Sequence, residues 1–270
     1  MEQIRLENEQ IEVTVNIHGA ELRSLKSKAD GQEYLWNADA KYWGRTSPVL
    51  FPFVGGVKNK VYRHEGKEYP MNQHGFARDM EFSLVNQSAD EVWFALEDTE
   101  ETYKVYPFHF HLEIGYRLED ASVSVMWKVK NINDKEMHFA IGAHPAFFCP
   151  MEEGELFTDY MLRFEDENVP DLHLQYPMFD NDAILYENLT HRTVRLISSK
   201  TEKGIQFDFP GYESVAFWTP IKKDAPFLCI EPWCGGTMDQ VSCTDMLKKK
   251  YVQFLDGGKA RDYVFRFQPC

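Results

Sequence analysis

Alternation of apolar and polar residues with a period of two runs through most of this chain and leaves little room for helices. Ile11, Val13, Val15 and Ile17 fall on one side of an extended segment, with Glu12, Thr14 and Asn16 on the other. Successive strand side chains point to opposite faces, so such a segment buries one face and wets the other. Phe110, Leu112, Ile114, Tyr116 and Leu118 repeat the pattern, Glu119 to Ser122 turn the chain, and Val123, Val125, Trp127 and Val129 return it as a hairpin. Further strands are expected over 92–96, 137–141, 160–164, 193–197, 204–209, 214–218, 226–231 and 262–268. Asp30-Gly31, Gly55-Gly56 and Asn131 to Asp134 mark turns. Helical signals are confined to one turn near 38–43 and a short piece at 244–251.

No Pro/Gly/Ser linker and no repeat of fixed period divides residues 1–270, so the expectation is one large all-β antiparallel sandwich. The 20 Phe, 13 Tyr and 6 Trp supply bulk for a packed sheet core. A net charge of −14 argues against nucleic-acid or anionic-membrane surfaces, which reward Lys and Arg, but leaves room for a small anionic ligand held by one or two Arg. The opening MEQIRLENEQ lacks the apolar core of a signal peptide, and no run of about 18 apolar residues offers a membrane span. Five cysteines (149, 229, 234, 243 and 270) without C-x-x-C spacing fit reduced thiols in the cytoplasm. Oligomeric state is not legible.

Three segments place polar groups in apolar settings. Gln73-His74-Gly75-Phe76-Ala77-Arg78 reads as a turn beside an imidazole, either a plain surface turn or a functional one. In Ile141-Gly142-Ala143-His144-Pro145-Ala146, the imidazole is either a core histidine satisfied by a carbonyl or a side chain that Pro145 frees to face a cleft, by ending sheet pairing. In Phe227-Leu228-Cys229-Ile230-Glu231-Pro232-Trp233, a carboxylate follows four apolar residues. An ionised Glu there is costly unless paired or used, so its pKa is expected to rise, and Trp233 offers a flat face to sugar C–H groups. A rival constellation, His109, His111 and Glu113, shares one strand face that could hold a metal. With no later matching histidine, a solvated strand face is the better reading. Phosphate-binding glycine loops and a G-x-S-x-G elbow are missing.

Taken in order, Arg45 in WGRTSPVLFPFVG, His74 in QHGFAR, His144 in GAHPAFF and Glu231 in CIEPWCG resemble the aldose 1-epimerase (galactose mutarotase-like) family, most closely its LacX-type branch. The likeness runs from IEVTVNIHGAELRSL to the last strand. It implies a β-supersandwich with a cleft across one sheet, no cofactor, no metal, and a sugar or sugar phosphate as the small-molecule partner. It further implies that Glu231 is the general base, His144 the acid on the ring oxygen, His74 a second imidazole on the sugar, and Arg45 a substrate-binding residue. Asp182 in FDNDAILYENL is the candidate acid on the sugar hydroxyls, with Asp180 competing. The His-Gly-x-Ala-Arg form resembles the hexose-6-phosphate branch, where the Arg helps hold phosphate; that points to Arg78. An ion pair of Arg78 with Asp79 or Glu81 is the bland alternative. Two other classes compete: a non-catalytic carbohydrate-binding sandwich, and a glycoside hydrolase built on Glu231 and Asp182.

Overall fold

A computed structural model describes residues 2–166, 168–236 and 245–270. It is built almost entirely of antiparallel strands. Nine form one sheet, in the order Leu172–His173, Tyr160–Phe164, Thr193–Ser198, Gly204–Asp208, Ala260–Pro269, Ser122–Asn131, Phe110–Glu119, Glu91–Glu97 and Ser83–Gln87. A second sheet runs Ile184–Glu187, Ser214–Trp218, Phe227–Cys234, Ile141–Ala143 and Val49–Leu50, with Ala146–Phe148 also paired to Phe227–Cys234. Gln3–Glu7, Ile11–Asn16 and Leu22–Ser27 make a three-stranded sheet.

The two large sheets face each other across a core rich in phenylalanine. Phe147 meets Phe267 edge-on at 5.3 Å, and Phe217 meets Phe164 at 5.8 Å. Such aromatic pairs add to the burial of their own large apolar surface. The all-β antiparallel sandwich is therefore the architecture, as the alternation implied. The hairpin at 119–122 turns with Asp120 in the left-handed region (φ 52°).

Several boundaries differ from expectation, each for a local reason. The strand begun at Ile11 ends at Asn16, and Gly19 and Ala20 (φ 70° and 44°) reverse the chain into an unexpected partner strand, Leu22–Ser27. The segment 137–141 divides at Ala140, whose N–H bonds the Pro52 carbonyl at 2.8 Å. Met137–Phe139 then pairs with Gln253–Leu255, while Ile141–Ala143 joins the second sheet. Glu100–Val105 is an unexpected α-helix, capped by Thr99 and Thr102, which exchange backbone and side-chain hydrogen bonds. Near 38–43 the chain makes only a turn, with Tyr42 and Trp43 N–H both bonding the Asp39 carbonyl. The piece at 244–251 is a 3-10 turn, Met246–Lys248, and residue 244 lies outside the described residues. Among the described residues no helix is long and apolar enough to cross a membrane. Cys149, Cys229 and Cys234 are buried free thiols and Cys270 an exposed one; Cys243 lies outside the described residues.

Candidate active site

The strand Phe227–Cys234 is buried at every position and lies inside the second sheet. Alternation splits its side chains. Leu228, Ile230 and Cys234 pack into the sandwich core, while Phe227, Cys229 and Trp233 pack into small clusters on the opposite side. Glu231 belongs to that outer face. On one flank, Gly142 pairs with Trp233 and Ala146 with Cys229, in a single register. That register sets His144 directly opposite Glu231. Pro145 only interrupts the pairing expected to end there; its carbonyl takes the Ile230 N–H at 3.0 Å, and the ladder resumes at Ala146. His144 Nε2 and Glu231 Oε2 stand 3.3 Å apart.

A cleft of about 1120 Å³ opens over this pair. Arg45, His74, Arg78, His144, Asp180, Asp182, Glu231 and Trp233 all line it, so every residue singled out for the site converges on one place. His109, His111 and Glu113 do not line it. His109 bonds Asp98 at 2.7 Å, and His111 bridges Glu97 at 2.5 Å and Glu113 at 3.0 Å, so both imidazoles already have carboxylate partners.

The loop carrying Arg45 is anchored by Glu21, whose buried carboxylate accepts the Thr46 and Ser47 N–H groups at 2.7 and 2.9 Å. His74 sits at φ 66°, a region that side chains other than Gly visit rarely, and is clamped to Gly55 in both directions. Its N–H bonds the Gly55 carbonyl at 2.8 Å, and its Nδ1 accepts the Gly55 N–H at 3.1 Å. An Nδ1 that accepts cannot hold a proton, so the neutral ring carries it on Nε2. Asp182 also has a positive φ, 93°, in the turn after Tyr176–Phe179. Two polar site residues thus sit in strained backbone, as functional loops often do.

Burial dominates the electrostatics. It holds Glu231 well above the usual carboxylate range, with Asp182 pushing the same way; the Trp233 indole N–H opposes this without completing a hydrogen bond. Burial pushes His144 down to about 3, helped by Arg78 and, less strongly, Arg45. His74 is held well below the imidazole range by burial, then by His144 and Arg78. Burial thus disfavours the charged form of both groups, which favours a neutral imidazole and a proton on the carboxyl.

Arg45 and Arg78 flank Asp79. Arg45 pairs with it at 2.5 Å, whereas Arg78 Nε stays 3.8 Å away and Arg78 donates to the Gln73 carbonyl at 2.8 Å. Glu81 instead bonds His18 at 2.6 Å. Asp79 is thus shared unequally, and Arg78 keeps donors uncommitted to a carboxylate.

Sequence reasoning missed the aromatic walls. Trp43 stacks on His144 with centroids 4.8 Å apart, and Trp218 meets the same imidazole edge-on at 5.4 Å. Trp43 stands two residues before Arg45, which was the available signal. Trp233 lines the cleft but is only 4% exposed, so the more open flat faces belong to Trp43 and Trp218. Cys229 was also missed. Its position two residues before Glu231 on a strand puts it on the same face, and its sulfur lies within 4.8 Å of ligand atoms of His144 and Glu231.

The profile of the family described as Aldose 1-epimerase matches residues 2–181. The chain is 35% identical over 263 residues to Protein LacX, plasmid, of Lactococcus lactis subsp. lactis, covering 86% of this chain and 87% of that protein. The structure of a galactose mutarotase related enzyme from Lactobacillus acidophilus superposes with a TM-score of 0.92 at 31% identity, over 100% of this chain and 97% of that one. A galactose mutarotase-like protein from Lactobacillus casei ATCC 334 does so with a TM-score of 0.92 at 30% identity, over 100% of both chains. With the sandwich, the cleft and the ordered motifs in agreement with these likenesses, the chain belongs to the aldose 1-epimerase family, in its LacX-type branch.

Proposed function

We propose that this protein is an aldose 1-epimerase that interconverts the α and β anomers of a hexose or hexose phosphate by opening and reclosing its ring. The observation that carries this reading is the buried contact between His144 and Glu231, 3.3 Å apart at the floor of a polar, aromatic-walled cleft. Opening a hemiacetal requires removing the anomeric hydroxyl proton and delivering a proton to the ring oxygen. One carboxylate and one imidazole do both, provided that together they carry a single proton. Glu231 is the base and His144 the acid.

The acid form needs the proton on the imidazole, whereas burial leaves it on the carboxyl. Transfer across the 3.3 Å contact interchanges the two without exchange with solvent. The Trp43 ring, stacked on His144 at 4.8 Å, offers its π-face to the imidazolium so formed. His74, with its proton on Nε2, donates to the anomeric and ring oxygens. Asp182 or Asp180 accepts from hydroxyls farther along the sugar. Rotation about C1–C2 and reclosure give the other anomer.

Arg78 and Arg45 are the groups for a phosphate. A planar fork with permanent charge suits that anion, and screening over about 8 Å at physiological salt makes these neighbours outweigh the net charge of −14. A merely sugar-binding sandwich has no use for a desolvated carboxyl against an imidazole, a contact that costs stability and that proton transfer gives a reason to keep.

The test is anomer-exchange NMR on free and 6-phosphorylated aldoses. Glu231→Gln, folded by circular dichroism, is expected to exchange anomers at least ~10²-fold more slowly, the scale for losing a positioned base. Near-full activity in that variant would overturn the mechanism.

A further inference from the structure

His144, Cys229 and Glu231 bring one nitrogen, one sulfur and one oxygen donor within 4.8 Å of one another, and all three residues are buried. The sheet builds this triangle. Cys229 and Glu231 are i and i+2 on one strand face, and His144 lies across the ladder from Glu231. The His144 and Glu231 donors are already 3.3 Å apart. Zinc bonds of about 2.0–2.3 Å set tetrahedral donors roughly 3.3–3.8 Å apart, so side-chain rotations of a fraction of an ångström to about one ångström close the triangle. His144 and Glu231 line the cleft, which leaves a route for entry and an open fourth position; Cys229 lies behind them among Trp36, Ala146, Ala225 and Phe227.

We propose that His144, Cys229 and Glu231 form a binding site for a borderline or soft divalent cation, Zn²⁺ or Cd²⁺, and that its occupancy switches the enzyme off. The inhibition rests on the acid–base reading given above; the binding does not. The donor set selects the metal. A thiolate with an imidazole disfavours Mg²⁺ and Ca²⁺, which take oxygen ligands, and favours zinc-like ions. Charge balances as well: a divalent ion with one thiolate, one carboxylate and a neutral imidazole is neutral overall, which a buried position rewards.

No electrons move. Each ion that binds displaces the proton of the Cys229 thiol, and that of the Glu231 carboxyl where it carries one, and these protons leave to the buffer, so affinity rises with pH. Occupancy removes the carboxylate base and the imidazole acid together. Chelators are therefore expected to leave activity unchanged or to restore it.

The experiment titrates the whole chain with Cd²⁺, following the ultraviolet charge-transfer band of the cadmium–thiolate bond, proton release, and anomer exchange. Wild type is expected to bind one Cd²⁺ with the band, to release at least one proton and to lose activity in proportion. Cys229→Ser should keep its metal-free activity within about twofold, show no band, and need at least ~10-fold more Cd²⁺ for half-inhibition. Cys270→Ser, as a control, should behave as wild type. Saturating aldose should protect wild type from the ion, which keeps the site testable should Cys229→Ser fold poorly. Inhibition of Cys229→Ser at the wild-type Cd²⁺ concentration, a band that persists in it, or no band in wild type would overturn the site. Band and proton release without any anomer exchange in the metal-free protein would instead support the site and refute the catalytic reading.

Discussion

Gly75 offers a direct test of how the His74 turn is held. It sits at φ 74°, and a methyl group on it would lie 2.2 Å from the Phe51 carbonyl oxygen, 2.4 Å from that carbonyl carbon and 2.7 Å from the Pro52 nitrogen. All three are backbone atoms and cannot swing aside as a side chain would. The same Phe51 oxygen takes the Phe76 and Ala77 N–H groups at 3.0 and 3.1 Å, so any opening of the gap strains those bonds as well. Gly75→Ala should pay about 1–2 kcal/mol for left-handed backbone and about 1–3 kcal/mol for the forced separation, roughly 2–5 kcal/mol in all. At about 2–4 °C per kcal/mol for a chain of this size, Tm should fall by roughly 4–20 °C. Gly154 is the internal control, with φ 80° and nothing within 4 Å of the added carbon. Gly154→Ala should lose only the first part, about 1–2 kcal/mol. Scanning calorimetry measures both. Because His74 precedes Gly75, a displacement of even a fraction of an ångström should also slow anomer exchange, by up to ~10²-fold for a full ångström, while Gly154→Ala stays near wild type. Equal Tm losses in the two variants, or unchanged exchange in Gly75→Ala, would refute the close-approach argument.

Two further outcomes follow from the site's electrostatics. Under the proposed acid–base reading the His144–Glu231 pair works with one proton between them, so kcat/KM should fall on the acid side only as His144 takes a second proton, near pH 3, and on the basic side as Glu231 gives up the last one. An acid limb centred at the ordinary imidazole value of ~6.5 would contradict this. Arg78→Ala should raise KM for a 6-phosphorylated aldose at least ~10-fold more than for the free sugar, the scale of a lost charge-assisted contact. Equal effects on both sugars, or no turnover of any sugar phosphate by wild type, would assign the protein to free aldoses.

Alternation located the longer strands with one face buried and the other wet, as in Phe110–Glu119 with Phe110, Leu112 and Ile114 inside. It missed short alternating strands such as Val61–His64, and strands without that contrast. Ser83–Gln87 is exposed at all five positions and carries no period-two signal, although it closes the edge of the large sheet. Val49–Leu50 and Leu172–His173 are too short to show a period. The polar site residues were legible because each stands out against apolar neighbours or belongs to an ordered motif. Trp43 and Trp218 were not, since an aromatic in a phenylalanine-rich chain looks like core until the fold shows which face it takes. Asp180 and Asp182 remained tied because both line the cleft; only Asp182 acts on Glu231 and sits at φ 93°.

The strand that carries Glu231 is buried along its whole length and paired on both flanks. Amide protons in such a strand exchange with solvent only when the whole sandwich opens, since neither flank can fray first. The Glu231 carboxyl therefore belongs to the last part of the molecule to loosen. The turn bearing Asp182, whose N–H is held by the Phe179 carbonyl at 3.0 Å, has only such local ties and can open on its own. Heating should accordingly strip ligand affinity from the cleft before it disturbs the His144–Glu231 pair, and cooling should return it without refolding.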